Sequence, residues 1–307
     1  MEKVLVIRYG GVGDVITVLP VIQSLKNSGY SVILASNNRY KEFCLKYTEV
    51  DGFVGIDNSF LLSLFAGERN EEIFYFLQQF NLILSYTDEE EVFSRMLRSL
   101  FKGKVVFKPV NPEKIKNHIV KYLLEPVYEF TSKVSEIPVL KINSDVPKEF
   151  FAIHPGSGSY YKNWAKERFM DVYKELSVKM RGIVLLGYAE MQQCEFWYEN
   201  IASSDIVVSE RLEEVVHYIE RTHFYIGNDS GISHLFAAGG VPSIVIFGPT
   251  SPFIWSPSGE NVRILYKKEK CSPCSIEQRR LCKEKKCLNS ITVKDVLKEV
   301  ETLWRKI

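Results

Sequence analysis

The chain has 307 residues, 46% of them hydrophobic, which is more than one core usually organises, so two domains are the starting expectation. Its 39 basic and 38 acidic side chains nearly cancel to a net charge of +1, which removes any general electrostatic reason to hold a polyanion such as nucleic acid. No stretch reaches the roughly 18 consecutive apolar residues of a spanning helix, so any membrane contact is expected to be peripheral.

Residues 3 to 8 form an apolar run that is too short for a leader's core and is followed at once by glycines, so it reads as a buried first strand of a cytoplasmic protein. Gly10-Gly11-Val12-Gly13-Asp14 breaks the run, and apolar positions return at helical spacing from Val15 to Leu25. Further strands are expected at residues 30–35, 52–56, 82–85 and 104–107, with helices near 40–47 and 89–101 between them. Alternation of this kind implies a parallel sheet. The polar stretch 141–148 is rich in breakers and reads as a linker, giving a first domain over 1–145 and a second over 146–307.

The pattern then restarts. Strands are expected at 150–154, 182–187, 206–208, 224–227 and 243–248, separated by helices at 167–180, 191–201 and 212–221. A last helix over about 293–304 places Val293, Val296, Leu297, Val300 and Leu303 on one face, suited to packing back across the domain boundary.

Open parallel sheets bind ligands at the carboxyl ends of their strands, so the strand-end loops are where chemistry is sought. In the first, Gly10, Gly11 and Gly13 permit close backbone approach, and Asp14 begins the next helix. It is not a dinucleotide fingerprint, because Ile16 stands where the third glycine belongs and Ser36 ends the second strand in place of an acid. Asp14 can serve as a helix cap, and a carboxylate at a helix start can also accept a proton from an attacking hydroxyl.

The second loop runs His154-Pro155-Gly156-Ser157-Gly158-Ser159-Tyr160-Tyr161-Lys162-Asn163-Trp164, offering backbone N–H groups and Lys162 to a diphosphate, with Trp164 as an anchor. In the third, Gly227-Asn228-Asp229-Ser230-Gly231-Ile232-Ser233-His234, a strand turns directly into a helix whose free N–H groups can form an anion site, although an Asp-Ser pair taken alone reads as an ordinary N-cap. The turn Phe247-Gly248-Pro249-Thr250 follows beside it.

In this order and at these separations the three loops resemble glycosyltransferase family 9, the heptosyltransferases of lipopolysaccharide synthesis. The resemblance implies a GT-B fold, two Rossmann-like domains whose parallel sheets face an interdomain cleft, with acceptor bound by the first and nucleotide sugar by the second. It implies inversion at the anomeric carbon with no required cofactor or catalytic metal. By position, Asp14 would be the general base and Gly10, Gly11 and Gly13 would line the acceptor loop. Lys162, with Gly156 and Ser157, would bind the donor phosphates, and Glu190 of Gly187-Tyr188-Ala189-Glu190 would meet the ribose. Asp229 would contact sugar hydroxyls, and Ser230, Gly231 and Ile232 would hold the diphosphate with His234 nearby. The expected partners are ADP-heptose and a lipopolysaccharide-core or similar glycolipid acceptor. At Val208-Ser209-Glu210-Arg211, where the adenine belongs, the chain offers no evident hydrophobic anchor.

Rival classes are weaker. A serine hydrolase would carry a Gly-x-Ser-x-Gly elbow, which is absent from the sequence. A sugar-nucleotide epimerase of the same fold, or a non-catalytic nucleotide-sugar-binding protein, would share the loops but would not need an acceptor. Cys271, Cys274, Cys282 and Cys287 read first as structural disulfides or free thiols, and their spacing also suits one structural zinc. Around them lie Lys267, Lys268, Lys270, Arg279, Arg280, Lys283, Lys285 and Lys286, a solvated basic face or a contact for inner-membrane headgroups or a phosphorylated acceptor.

Overall fold

The structure, a computed structural model, describes residues 1–111, 115–187, 190–191 and 194–304. The chain divides into two compact units, Met1–Lys141 and Ile142–Ile307.

In the first unit, β1 (Lys3–Ile7), β2 (Ser31–Ser36), β3 (Gly52–Gly55), β4 (Leu82–Ser85) and β5 (Lys104–Phe107) form one sheet in the order β3-β2-β1-β4-β5. Every pairing is parallel. Val4, Leu5, Val6 and Ile7 of the central strand are all buried, which is why β1 reads as a continuous apolar run without polar alternation. Helix Val12–Asn27 follows it and is buried without interruption from Val15 to Leu25. Helices Ser59–Ala66, Glu71–Leu77 and Ile119–Leu124 were not anticipated from the sequence, because at eight residues or fewer the 3.6-residue period hardly repeats.

The second unit repeats the plan. Its strands β6 (Phe150–His154), β7 (Gly182–Leu186), β8 (Ile206–Val208), β9 (Thr222–Asn228), β10 (Ser243–Phe247) and β11 (Val262–Tyr266) lie in the order β11-β10-β9-β6-β7-β8, again all parallel. Counted from its own first strand, each sheet runs third, second, first, fourth, fifth, and the second unit adds a sixth strand. Strand order therefore reverses between β1 and β4, and again between β6 and β9. These are the positions where an open sheet leaves a crevice for ligand. Strand β11 is the sixth, missed by the sequence reading: it pairs only with β10, and all five of its residues are half-buried, so no clear apolar signal marks it.

Helix Val293–Trp304 puts Val296, Val300 and Leu303 into the core of its own unit, with Phe169, Val172 and Leu176 of helix Lys166–Ser177. Its apolar stripe is satisfied there. Among the described residues, no helix is long and apolar enough to cross a membrane.

Candidate active site

The end of β1 delivers Arg8 to Asp14. Gly10 has φ +139°, and a Cβ there would lie 2.2 Å from Asp14 Oδ2, so glycine is required both by the backbone and by the carboxylate folded over it. Gly11 N–H donates to Asp14 Oδ2 at 2.7 Å, and the Arg8 guanidinium pairs with Oδ1. Asp14 thus caps the start of helix Val12–Asn27, one of its two expected roles, with Gly11 at the N-cap position and Gly13 in the first turn. A carboxylate has about four lone-pair sites, so these two bonds leave capacity for an incoming hydroxyl.

Exposure is divided unequally within this pair. The Arg8 side chain is 8% exposed and that of Asp14 35%. Arg8 was read only as the end of a strand. The signal available in the sequence was a cation inside an otherwise apolar run, which a buried strand tolerates only if the charge is paired.

In the second unit, four strand-end segments meet. The loop after β6 carries Lys162, whose Nζ lies 3.3 Å from Asp229 Oδ2 at the end of β9. Thr250, in the turn after β10, donates to the same Oδ2 at 2.6 Å. Ser230 caps helix Gly231–Ala238, accepting from Ser233 N–H at 3.3 Å. By helix geometry the N–H groups of Gly231 and Ile232 have no intrahelical acceptor, so the half-buried first turn presents donors and the positive end of a helix dipole. His234 is buried in the same turn.

Asn228, fully buried, fixes the two loops against each other. Its Nδ2 donates to Pro155 O at 2.7 Å, and its Oδ1 accepts from Trp164 N–H at 2.9 Å. The Trp164 indole is itself buried and donates to Ile291 O at 3.0 Å, which supports its reading as an anchor. Ser157 Oγ lies 2.5 Å from Asn163 Oδ1, so it tightens the loop from within. Tyr225, not singled out from sequence, lies under the helix start. Its hydroxyl is 3.0 Å from Ser233 Oγ and its ring stacks on Phe236 at 4.2 Å.

Glu190 stands beyond β7, while Tyr188 and Ala189 of the same expected turn lie outside the described residues. Its carboxylate is 2% exposed, accepts from Gly187 N–H at 2.8 Å, and lies 3.6 Å from His154 Nε2. Burial pulls this carboxyl upward, yet His154 and the Gly187 N–H more than offset it and hold Glu190 below the usual carboxylate range. A Cβ on Gly156 would fall 1.6 Å from Glu190 Oε1, so the loop after β6 needs glycine there for the carboxylate to cover it. Val208, at the expected adenine position, is 43% exposed.

The four clustered cysteines are free thiols, as are Cys44 and Cys194. Among the described residues no three His, Cys, Asp or Glu side chains are arranged to hold a metal. The segment is fastened by hydrogen bonds, Cys274 N–H to Pro249 O at 2.8 Å and Ser272 Oγ to Gly248 O at 2.6 Å.

Comparison with known proteins gives the family and the fold. The profile of glycosyltransferase family 9 (heptosyltransferase) matches residues 119–287. Lipopolysaccharide heptosyltransferase 1 of Campylobacter coli is 27% identical over 188 residues, covering 59% of this chain and 54% of that protein. The chain thus spans about half the length of that curated relative. Among solved structures, ADP-heptose lipopolysaccharide heptosyltransferase II of E. coli superposes with a TM-score of 0.77 at 14% identity, covering 99% of both chains. A glycosyltransferase family 9 protein of Veillonella parvula gives 0.79 at 15% identity, covering 100% of this chain and 98% of its own. Likeness at such identity, over whole chains, shows the fold: GT-B, two open parallel α/β sheets.

Proposed function

The chain belongs to glycosyltransferase family 9, the heptosyltransferases, and on that footing we propose that it transfers a heptose from ADP-heptose to a lipopolysaccharide inner-core or similar glycolipid acceptor, with inversion and without a catalytic metal. The observation that carries this reading is Lys162 within 3.3 Å of Asp229 beside the Ser230-capped helix start, at the strand-order reversal of the second sheet.

The chemistry follows from charge. The acceptor hydroxyl attacks the anomeric carbon, and Asp14 takes its proton. The bond from that carbon to the diphosphate oxygen breaks, and ADP leaves with the electron pair. Lys162 and the N–H groups of Ser230, Gly231 and Ile232 stabilise the charge that develops there, so no proton need be delivered to the leaving group. Glu190 accepts from the ribose, and Asp229, held by Lys162 and Thr250, accepts from the sugar hydroxyls.

A donor screen tests this. The protein is incubated with ADP-heptose or with common UDP- and GDP-sugars, with and without core-oligosaccharide acceptors, and nucleotide release is followed. Acceptor-dependent release of ADP is the expected result. Asp14→Ala should lower turnover by about 10²–10⁴-fold with donor affinity retained, and Lys162→Ala should weaken ADP binding. Full transfer by Asp14→Ala would refute the base assignment, and conversion of donor without acceptor would identify an epimerase.

A further inference from the structure

Between Lys267 and Lys286 the chain carries eight basic and three acidic side chains, so the rest of the protein is net −4 and the positive charge is concentrated on one segment. Only Ser272 is buried in that span. Helix Ile276–Leu281 exposes its apolar as well as its charged residues, with Leu281 80% and Ile276 53% exposed. Tyr160, 71% exposed, joins this face: Lys285 Nζ lies 3.3 Å from its ring centroid and donates to its carbonyl at 2.7 Å. Tyr161 Oη donates to Arg280 O at 3.3 Å beside it.

We propose that this face, built from Tyr160, Arg280, Leu281, Lys283 and the lysines around them, docks the protein on an anionic lipid bilayer. The inference deepens the proposed activity, whose acceptor is a glycolipid, and rests on it for the choice of partner. Charge alone would suit any polyanion. The exposed Leu281, next to Arg280, and the amphipathic Tyr160 decide for a bilayer, because they gain only where headgroups give way to acyl chains. The same face is tied to the donor site through Tyr160, two residues before Lys162, and through Gly248 and Pro249, which precede Thr250. Docking there keeps the donor loops at the membrane surface.

Each basic side chain near an anionic surface raises partitioning by about fivefold. The full chain is sedimented with phosphatidylcholine vesicles, with and without a third of phosphatidylglycerol. Binding should require the anionic lipid and fall as salt shortens the Debye length from about 10 Å at 0.1 M to about 3 Å at 1 M. The variant Lys268→Ser/Arg280→Ser/Lys283→Ser should lose about a hundredfold in partitioning, with an unchanged unfolding midpoint and unchanged turnover of a de-acylated, water-soluble acceptor. Leu281→Ser should lose several-fold at every salt concentration. Equal binding to neutral vesicles, wild-type partitioning by the triple variant, or displacement from vesicles by stoichiometric single-stranded DNA would each overturn the proposal. Vesicle binding by a protein that turns over no donor would leave this proposal standing and overturn the transferase reading instead.

Discussion

Replacing Gly156 with alanine tests how the donor loop and Glu190 depend on each other. The new methyl would stand 1.6 Å from Glu190 Oε1 and 2.4 Å from its Cγ, so the side chain must swing away. Leaving costs it the Gly187 N–H at 2.8 Å and the His154 contact at 3.6 Å. Hydrogen bonds to a charged group are worth about 1.5–3 kcal/mol each. Some of this returns as the carboxylate regains water, so the net loss is about 3 kcal/mol. For a unit of this size that lowers the unfolding midpoint by about 6–12 °C. Gly158→Ala is the matched control, since a Cβ there meets nothing within 4 Å. Differential scanning calorimetry and titration with ADP read both effects. Gly156→Ala should melt early and bind ADP weakly, whereas Gly158→Ala should match wild type. Equal midpoints and equal ADP affinity in the two variants would refute the claim that Glu190 is held over the loop by glycine.

Because the folded state holds Glu190 below its ordinary value near 4.5, its contribution to stability is fully present above that pH and fades as pH falls through the lower folded value. Urea unfolding of wild type and Glu190→Gln should therefore differ most at neutral pH and converge as pH falls through the lowered folded value; a gap that does not depend on pH would contradict this. Thr250→Val removes the 2.6 Å donor to buried Asp229 and should cost about 1.5–3 kcal/mol in the same assay while weakening donor binding. An unchanged unfolding midpoint would show that Lys162 alone satisfies the carboxylate. Burial pushes the Cys44 thiol up to about 12, whereas Cys271 and Cys282 are exposed. Alkylation of native protein followed by peptide mapping should mark the exposed pair first and reach Cys44 only on unfolding, and early modification of Cys44 would place it at the surface.

The fully buried strands were legible because burial on both faces forces a continuous apolar run, as in Phe150-Phe151-Ala152-Ile153. Strand β11 was not, since half-buried positions on a sheet edge leave no such run. Within the site, the residues readable in sequence were those on strand-end loops with unusual composition: glycines, Lys162 and the Asn228-Asp229-Ser230 turn. Their partners were not readable. Asn228 joins Pro155 and Trp164 across separations of 73 and 64 residues, and Thr250 reaches Asp229 across 21, distances that no periodicity encodes. Gly156 shows the same limit. Its value lies in Glu190, a residue that only the packing of β6 against β7 brings near.

In the proposed reaction the two units turn one topology to opposite chemistry. Each places a cation–carboxylate pair at its strand-order reversal, Arg8 with Asp14 in the first and Lys162 with Asp229 in the second. In the first pair the carboxylate is the outer member, 35% exposed against 8% for the arginine. In the second the order is inverted, with the lysine 20% exposed and the aspartate 8%. In the proposed reaction the outer members, Asp14 and Lys162, meet the acceptor hydroxyl and the diphosphate. An anchored carboxylate facing outward can accept a proton from a hydroxyl, while an anchored ammonium facing outward, beside a helix start, draws a phosphate. On the proposed reading, reversal of exposure within the pair, rather than a change of fold, fits one unit to activate a nucleophile and the other to steady a leaving group.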